Sequence, residues 1–569
     1  MDVSAIFSLA GRAVGLLFGL YIIRGLYRGY ESRRRVRSHQ AQGLPTLPHS
    51  WLLGHLAILG DFRKDVPGDV NFYAFHTWLV RNCSKYFPGL DFPPPVVYLD
   101  IWPAETPLAL VFDAVAASQF VQTPSLPKHA LGTDFIQVFT GGLDIISNEG
   151  QEWKTWRSRF NPGFSQRNIA AMLPELLEEA AIFAAQLEDL AGKAGKWGQV
   201  FQLEEKTTNL TFDIICRAAL GMRLNEQIRT ESSPLKIALL DQIRVMNSGA
   251  NAARAIPLGR MPWDIWASHR NNKILRDILL PQIVNSKKIG TNESQFKTIT
   301  DLALKYVDKD EPNATEDSAG FTDRLIANLK AFLFAGHDTT ASTICFMTKL
   351  LRDNPESLAK LRAEHDAVLG PNPEEAMNVL KSSPHVLYSL PYTLGVIKET
   401  LRLYPLAAAL RRPHKGYYLT AAGSSVQWPI EGYAVWLSAP GIQRNPHYWP
   451  RPNEFLPKRW TVPEGDPLHP IHNSAFAPFS LGPRNCIGME LALIELRIVS
   501  VLMARRFDIE EAWEDWDKLR GPQATPLHNI NGERLYTVGG GVVHPRLTDK
   551  CIEDGMPVHI RLREHTPAV

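Results

Sequence analysis

Cysteine is scarce in this chain. Its 569 residues include five, Cys83, Cys216, Cys345, Cys486 and Cys551, scattered and odd in number. No pair stands at metal-ligand spacing, which argues against a zinc site, and the pattern fits a reducing compartment better than a disulfide framework. Net charge is nearly absent as well, with 61 lysines and arginines against 59 acidic residues, so nothing in the balance asks for nucleic acid. No repeat or low-complexity tract breaks the chain beyond the first fifty or so residues. No Gly-x-Gly-x-x-Gly stands between a strand and a helix; Gly539-Gly540-Gly541 comes too late and has no helix behind it. What is plentiful is apolar surface: 45% of the residues are hydrophobic, ample for a large core.

The amino terminus differs from the rest. Val3 to Ile23 is mostly apolar, broken by Arg12, and Arg24, Arg28, Arg33, Arg34, Arg35 and Arg37 follow. About 20 apolar residues can cross a bilayer, with flanking arginines left in the cytoplasm. Arg12 opposes this, since a central arginine costs about 2.5–3.5 kcal/mol. The competing reading, a cleaved signal peptide, lacks a basic leading region and has arginines at its exit. Gly11, Gly15 and Gly19 share a helix face, either as a packing stripe or as glycine tolerated in a membrane helix. Pro45 and Pro48 stiffen the connector that follows. The expected organisation is a transmembrane anchor over 1–24, a basic and proline-rich linker over 25–50, and one large domain over 51–569. From about Ile169 to Leu351 the pattern is mostly helical. Thr420 to Ala439 and the last fifty or so residues suggest small sheets, so the fold class is mainly α with small β-sheets. Asn209, Asn292 and Asn313 open glycosylation sequons, which stay silent if the domain faces the cytosol.

Four short runs carry chemistry. Cys486 closes Phe479-Ser480-Leu481-Gly482-Pro483-Arg484-Asn485-Cys486-Ile487-Gly488, a Gly/Pro-bent loop before an apolar helical run. Such a loop lets backbone approach a flat cofactor and aims N–H groups at a sulfur. Phe321 to Asp353 holds no proline and reads as one long helix containing Ala335-Gly336-His337-Asp338-Thr339-Thr340. There the small pair Ala335-Gly336 leaves room on one face. Thr339 either back-bonds the carbonyl four residues earlier or turns its hydroxyl to a ligand. Between Pro391 and Pro405, Glu399 and Arg402 share a helix face and can pair. Trp153 and Arg157, four apart, offer an indole N–H and a guanidinium, donors suited to carboxylates.

The ten-residue run ending at Gly488 resembles the haem-binding signature of the cytochrome P-450 superfamily, Phe-x-x-Gly-x-Arg-x-Cys-x-Gly, at every fixed position. The other runs follow the family's order upstream, and the resemblance covers roughly Gly43 to the end. It implies the family's fold and heme b, with Cys486 as the axial thiolate ligand of iron and Phe479, Gly482, Arg484 and Gly488 cradling the cofactor. Trp153, Arg157 and Arg484 would meet the propionates. Arg412 is expected as a further propionate ligand, with Arg411 beside it leaving the register open. Thr339 would contact dioxygen, and Asp338 would relay protons from solvent. Glu399 and Arg402, joined by Arg459 from Pro452–Trp460, would form a buried structural brace. Gln443 stands where many relatives carry histidine, a departure that bears on propionate contacts.

The same resemblance implies a monooxygenase on a lipophilic small molecule, and the pattern is similar to fungal, microsomal members of secondary metabolism. Electrons would come from an NADPH-dependent flavoprotein reductase, with cytochrome b5 as a second donor, docking on basic residues that include Lys154. The expected location is the endoplasmic reticulum membrane, single-pass, with the catalytic domain cytosolic. Substrate contacts are expected from Pro124–Ile146, Leu406–Leu410, the helix face near Phe332 and Ala335, and the turn near Val538. The alternatives are a haem-thiolate isomerase or dehydratase, against which the intact Asp338-Thr339 pair speaks, and a non-catalytic haem sensor or carrier.

Overall fold

The computed structural model describes all residues except 1–2, 67–72, 123–124, 252–260, 290–295, 306–318, 407–408, 521–554 and 565–569. The Asn292 and Asn313 sequons, Cys551, the turn at Val538 and the Gly539–Gly541 run therefore lie outside the described residues.

The helical half grows from the apolar, proline-poor middle of the chain. Helices run over Gln166–Leu190, Leu203–Leu220, Pro234–Asn251, Pro262–Ile289 and Ala319–Asp353, as the sequence pattern predicts. The last has 35 residues, about 50 Å at 1.5 Å per residue. It lies against Leu203–Leu220, which ends at Gly221 in the left-handed conformation (φ 67°), a cap that glycine adopts at little cost. Gly336 sets how near these two helices come. A Cβ there would stand 2.8 Å from Ile215 Cγ1, so the room beside Ala335-Gly336 is filled on the glycine side by Ile215.

The sheet half was only partly visible beforehand. Val96–Leu99 pairs antiparallel with Leu108–Val111, which runs parallel to Ala434–Leu437, itself antiparallel to Leu410–Arg411. A hairpin joins Tyr418–Thr420 to Gln427–Pro429, and Pro557–Leu562 lies between Phe201–Gln202 and Phe507–Glu511. The two strands between residues 96 and 111 were not anticipated. Both are buried at every position, so they lack the alternation of a half-exposed strand.

At the amino terminus one helix runs unbroken over Val3–Ala41. The stretch expected as a basic linker is thus partly the same helix, and part of it is docked. Ser32, Arg33, Val36 and His39 are buried. Arg33 pairs with Asp100, which also accepts from Ser32 Oγ (2.7 Å) and contacts His49 Nε2 (3.0 Å). His39 stacks on Tyr98, ring centroids 4.2 Å apart. Among the described residues no helix is long and apolar enough to cross a membrane. The side chains of residues 1–11, half of the expected anchor, lie outside the described residues.

Candidate functional site

The loop before Met489–Arg506 is bent at two left-handed residues, Ser480 (φ 60°) and Gly482 (φ 70°). A Cβ on Gly482 would lie 2.6 Å from Gln122 Cα and 2.7 Å from the Val121 carbonyl, so only glycine fits this close approach. The loop closes on itself where the Cys486 amide donates to the Phe479 carbonyl (2.9 Å). Arg157 holds it from below, donating to the Asn485 carbonyl (2.8 Å) and to Asn485 Oδ1 (3.0 Å). Cys486 is exposed although protein atoms stand around its thiol, and Gly482 and Pro483 of the same loop are exposed with it. Desolvation there raises the thiol's pKa, and the Gly488 amide and the Arg157 charge oppose that shift. Gly488 itself is not crowded, a Cβ meeting Phe164 at an ordinary 3.8 Å.

The helix Gly150–Phe160 turns Trp156 and Phe160 into the core and leaves Trp153 and Arg157 half-buried on another face, with Lys154 exposed. Arg484 lies flat over Trp153, its guanidinium carbon 3.8 Å from the ring centroid, and pairs with Glu149. Two further cations gather here. Arg411 is buried, and burial together with the Arg484 charge pulls its pKa to about 10. Burial, then Arg484 and Arg411, pull Lys128 to about 7. Arg412, the expected ligand, is exposed instead: successive residues leaving a strand point to opposite sides, so 411 faces inward and 412 outward. Lys128 was missed, and no motif marks it; its only signal is a lysine just after Pro127.

On the Ala319–Asp353 helix, Ala335 and Thr339 are only partly buried while most of their helix neighbours are covered. Thr339 Oγ1 donates to the Ala335 carbonyl (2.8 Å), the back-bonded alternative. Asp338 is buried at 2% exposure. Thr211 Oγ1 donates to the His337 carbonyl (2.6 Å), tying the Leu203–Leu220 helix to this turn. Phe332 packs edge-on against Phe160 and Phe164, at 4.8 and 5.1 Å. Phe334 meets Phe135 (6.1 Å), and Leu410 abuts Gly132.

Glu399, Arg402 and Arg459 are fully buried together. Arg402 grips Glu399 through two bonds (2.8 and 2.9 Å), Arg459 Nε adds a third (3.0 Å), and Trp460 Nε1 a fourth (3.0 Å). The remaining guanidinium donors reach carbonyls of 443, 450, 452 and 454. Gln443 proves to be a strut and makes no contact at the cation cluster. Its Nε2 donates to the carbonyls of Leu401 and Arg402, and its Oε1 accepts from the Ala477 amide (2.9 Å), two residues before Phe479.

An exposed thiol, partly bare Ala335 and Thr339, and three cations gathered with Glu149 as the paired carboxylate fit an iron-bearing cofactor carrying carboxylates. The comparisons agree. The family model for Cytochrome P450 matches residues 99–531. The "Cytochrome P450 monooxygenase polC" of Polytolypa hystricis is 35% identical over 95% of this chain and 94% of its own length. The "Cytochrome P450 monooxygenase acrF" of Aspergillus aculeatus is 28% identical over 82% and 94%. Among solved structures, the cytochrome P450DA heme domain superposes with a TM-score of 0.66 at 21% identity, over 91% of this chain and 98% of that one, a likeness of fold.

Proposed function

The chain belongs to the cytochrome P450 family and is a haem-thiolate monooxygenase; from that premise we propose that it oxygenates a lipophilic small molecule of secondary metabolism. The observation that carries the site assignment is the exposed thiol of Cys486 in a loop bent at Ser480 and Gly482, with the cations Arg484, Arg411 and Lys128 gathered near it. Haem held there by a cysteine thiolate supplies the electron density that favours O–O cleavage. Cys486 Sγ is the ligand, its negative charge favoured by the Gly488 amide and Arg157. Trp153, Arg411, Arg484 and Lys128 hold the carboxylate edge. Thr339 releases the Ala335 carbonyl and turns its hydroxyl to oxygen, and Asp338 passes protons toward Thr339 Oγ1. Phe135, Phe334, Ala335 and Leu410 exclude water and orient an apolar substrate.

Electrons come from a separate NADPH-dependent flavoprotein reductase, aided by cytochrome b5, with the exposed Lys154 among the docking cations. Residues 1–24 anchor the chain in the endoplasmic reticulum membrane, 25–50 connect, and 51–569 form the cytosolic catalytic domain. The run of exposed apolar side chains from Leu16 to Leu26 supports that anchor. Secondary metabolism is an analogy with fungal relatives. The reduced, CO-bound absorption spectrum tests the ligand: wild type gives the thiolate-type band and Cys486→Ser loses it. A band that survives the substitution overturns the assignment, and turnover without reductase or NADPH favours the isomerase reading instead.

A further inference from the structure

Three side chains of the Leu203–Leu220 helix grip the turn that leads into Asp338 and Thr339. Thr211, Phe212 and Ile215 are all buried. Thr211 Oγ1 lies 2.6 Å from the His337 carbonyl, closer than the Thr207 and Thr208 carbonyls of its own helix, at 3.0 and 3.2 Å. A hydroxyl has one hydrogen to give, and the shortest contact assigns it to His337. Phe212 meets the His337 ring edge-on (5.8 Å), and that ring is tied back through Nδ1 to the Leu333 carbonyl (2.7 Å). Ile215 fills the side of Gly336.

Hydroxyls reach the carbonyls on either side as well. Thr339 Oγ1 donates to Ala335 and Thr343 Oγ1 to Thr339, both at 2.8 Å. Such a bond competes with the helix's own amide and bends the helix locally. These two come from within the helix and are released by turning one side-chain bond. The bond to His337 comes from a different helix, so it fixes that carbonyl relative to the body of the fold. The His337 carbonyl and the Asp338 amide belong to one planar peptide unit. Holding the carbonyl therefore sets the plane from which Asp338 and Thr339 depart. Thr211 is also the hydroxyl residue of the Asn209-Leu210-Thr211 sequon, and that hydroxyl is engaged inside the protein.

We propose that Thr211 is a positioning residue for oxygen activation. Its hydroxyl holds the His337–Asp338 peptide so that Asp338 passes a proton to Thr339 when Thr339 turns away from the Ala335 carbonyl. This rests on the reading that Asp338 and Thr339 deliver protons. Dioxygen that takes up two electrons and two protons leaves as hydrogen peroxide, with one NADPH oxidised. Breaking the O–O bond without substrate and reducing both oxygens to water takes four electrons from two NADPH, and four protons. Proton delivery decides between the two outcomes.

The test uses the full-length, haem-loaded protein with a purified NADPH-dependent flavoprotein reductase and no substrate. It reads the share of NADPH electrons that ends in water and not in peroxide. Thr211→Val keeps the shape and removes the hydroxyl, Thr211→Ser keeps the hydroxyl, and Asp338→Asn disables the relay itself. The expected result is a several-fold fall in the water share for Thr211→Val and Asp338→Asn, with Thr211→Ser close to wild type. Amide hydrogen exchange over residues 336–343 should be faster in Thr211→Val and return to the wild-type rate in Thr211→Ser. A fall in Asp338→Asn with none in Thr211→Val overturns the role of Thr211 and leaves the relay standing. No fall in either overturns both. A fall as large in Thr211→Ser as in Thr211→Val makes packing the cause and also overturns the proposal. Should Thr211→Val not take up haem, Thr211→Ala takes its place in the same comparison.

Discussion

Glu399 shows how much a single carboxylate can organise. Its two oxygens accept from Arg402, Arg459, Trp460 and the Leu456 amide, and all of this is sealed from water. Such a cluster adds little net stability, but removing one partner leaves a charge stranded. Glu399→Met, which leaves the buried Arg402 and Arg459 guanidiniums without their shared carboxylate, is expected to cost about 3–5 kcal/mol in denaturant unfolding. Arg459→Met, which leaves the one-to-one Glu399–Arg402 pair in place, should cost less; equal losses in the two variants would argue against stranded charge as the cause. Glu399 and Arg402 were legible because their spacing puts them on one helix face, whereas Arg459 and the ligand role of Cys486 came from the resemblance to the family. Lys128 and the choice of Arg411 over Arg412 were not legible, since both depend on how a short strand faces a loop nearly three hundred residues away.

At the level of elements, the crossing of Ala319–Asp353 over Leu203–Leu220 depends on Gly336. Sequence reasoning took the glycine as room for a ligand; the structure spends that room on Ile215. Gly336→Ala should therefore destabilise by about 1–3 kcal/mol, as overpacking does, although alanine favours helix. Combined with Ile215→Ala, the total loss should be smaller than the sum of the two single losses, because the truncated side chain no longer meets the added methyl. If Gly336→Ala alone is neutral or stabilising, the contact is not limiting. The helix Ala319–Asp353 was readable from its proline-free run, while Gln166–Leu190 and Pro262–Ile289 form despite Pro174 and Pro281 inside them. The strands between 96 and 111 were hidden because full burial erases the two-residue rhythm that announces a strand.

Across the whole molecule, the amino-terminal helix and the domain meet at a polar junction whose strength depends on pH. Burial lowers the pKa of His39 from 6.5 to about 4, so the folded protein keeps it neutral where the unfolded chain is protonated. The unfolded state then binds more protons between those values, and stability falls as pH drops from about 6.5 to about 4. Asp100 acts lower: burial raises it, but His49, Ser32 and Arg33 outweigh this and leave it at about 2, so its contribution fades only below its usual 3.8. Limited proteolysis between the helix and residue 56 should accelerate as pH falls through the first window, and His39→Phe should flatten that dependence. Equal acceleration in both proteins would remove His39 from the account. Lys128, Arg411 and Arg484 push against one another where burial also disfavours their charge, and both effects lower the pKa of Lys128 and of Arg411. A chain built this way is incomplete as a polypeptide. The carboxylates of a haem placed there would serve as an electrostatic keystone, and its arrival would belong to the assembly of the protein as much as to its later work.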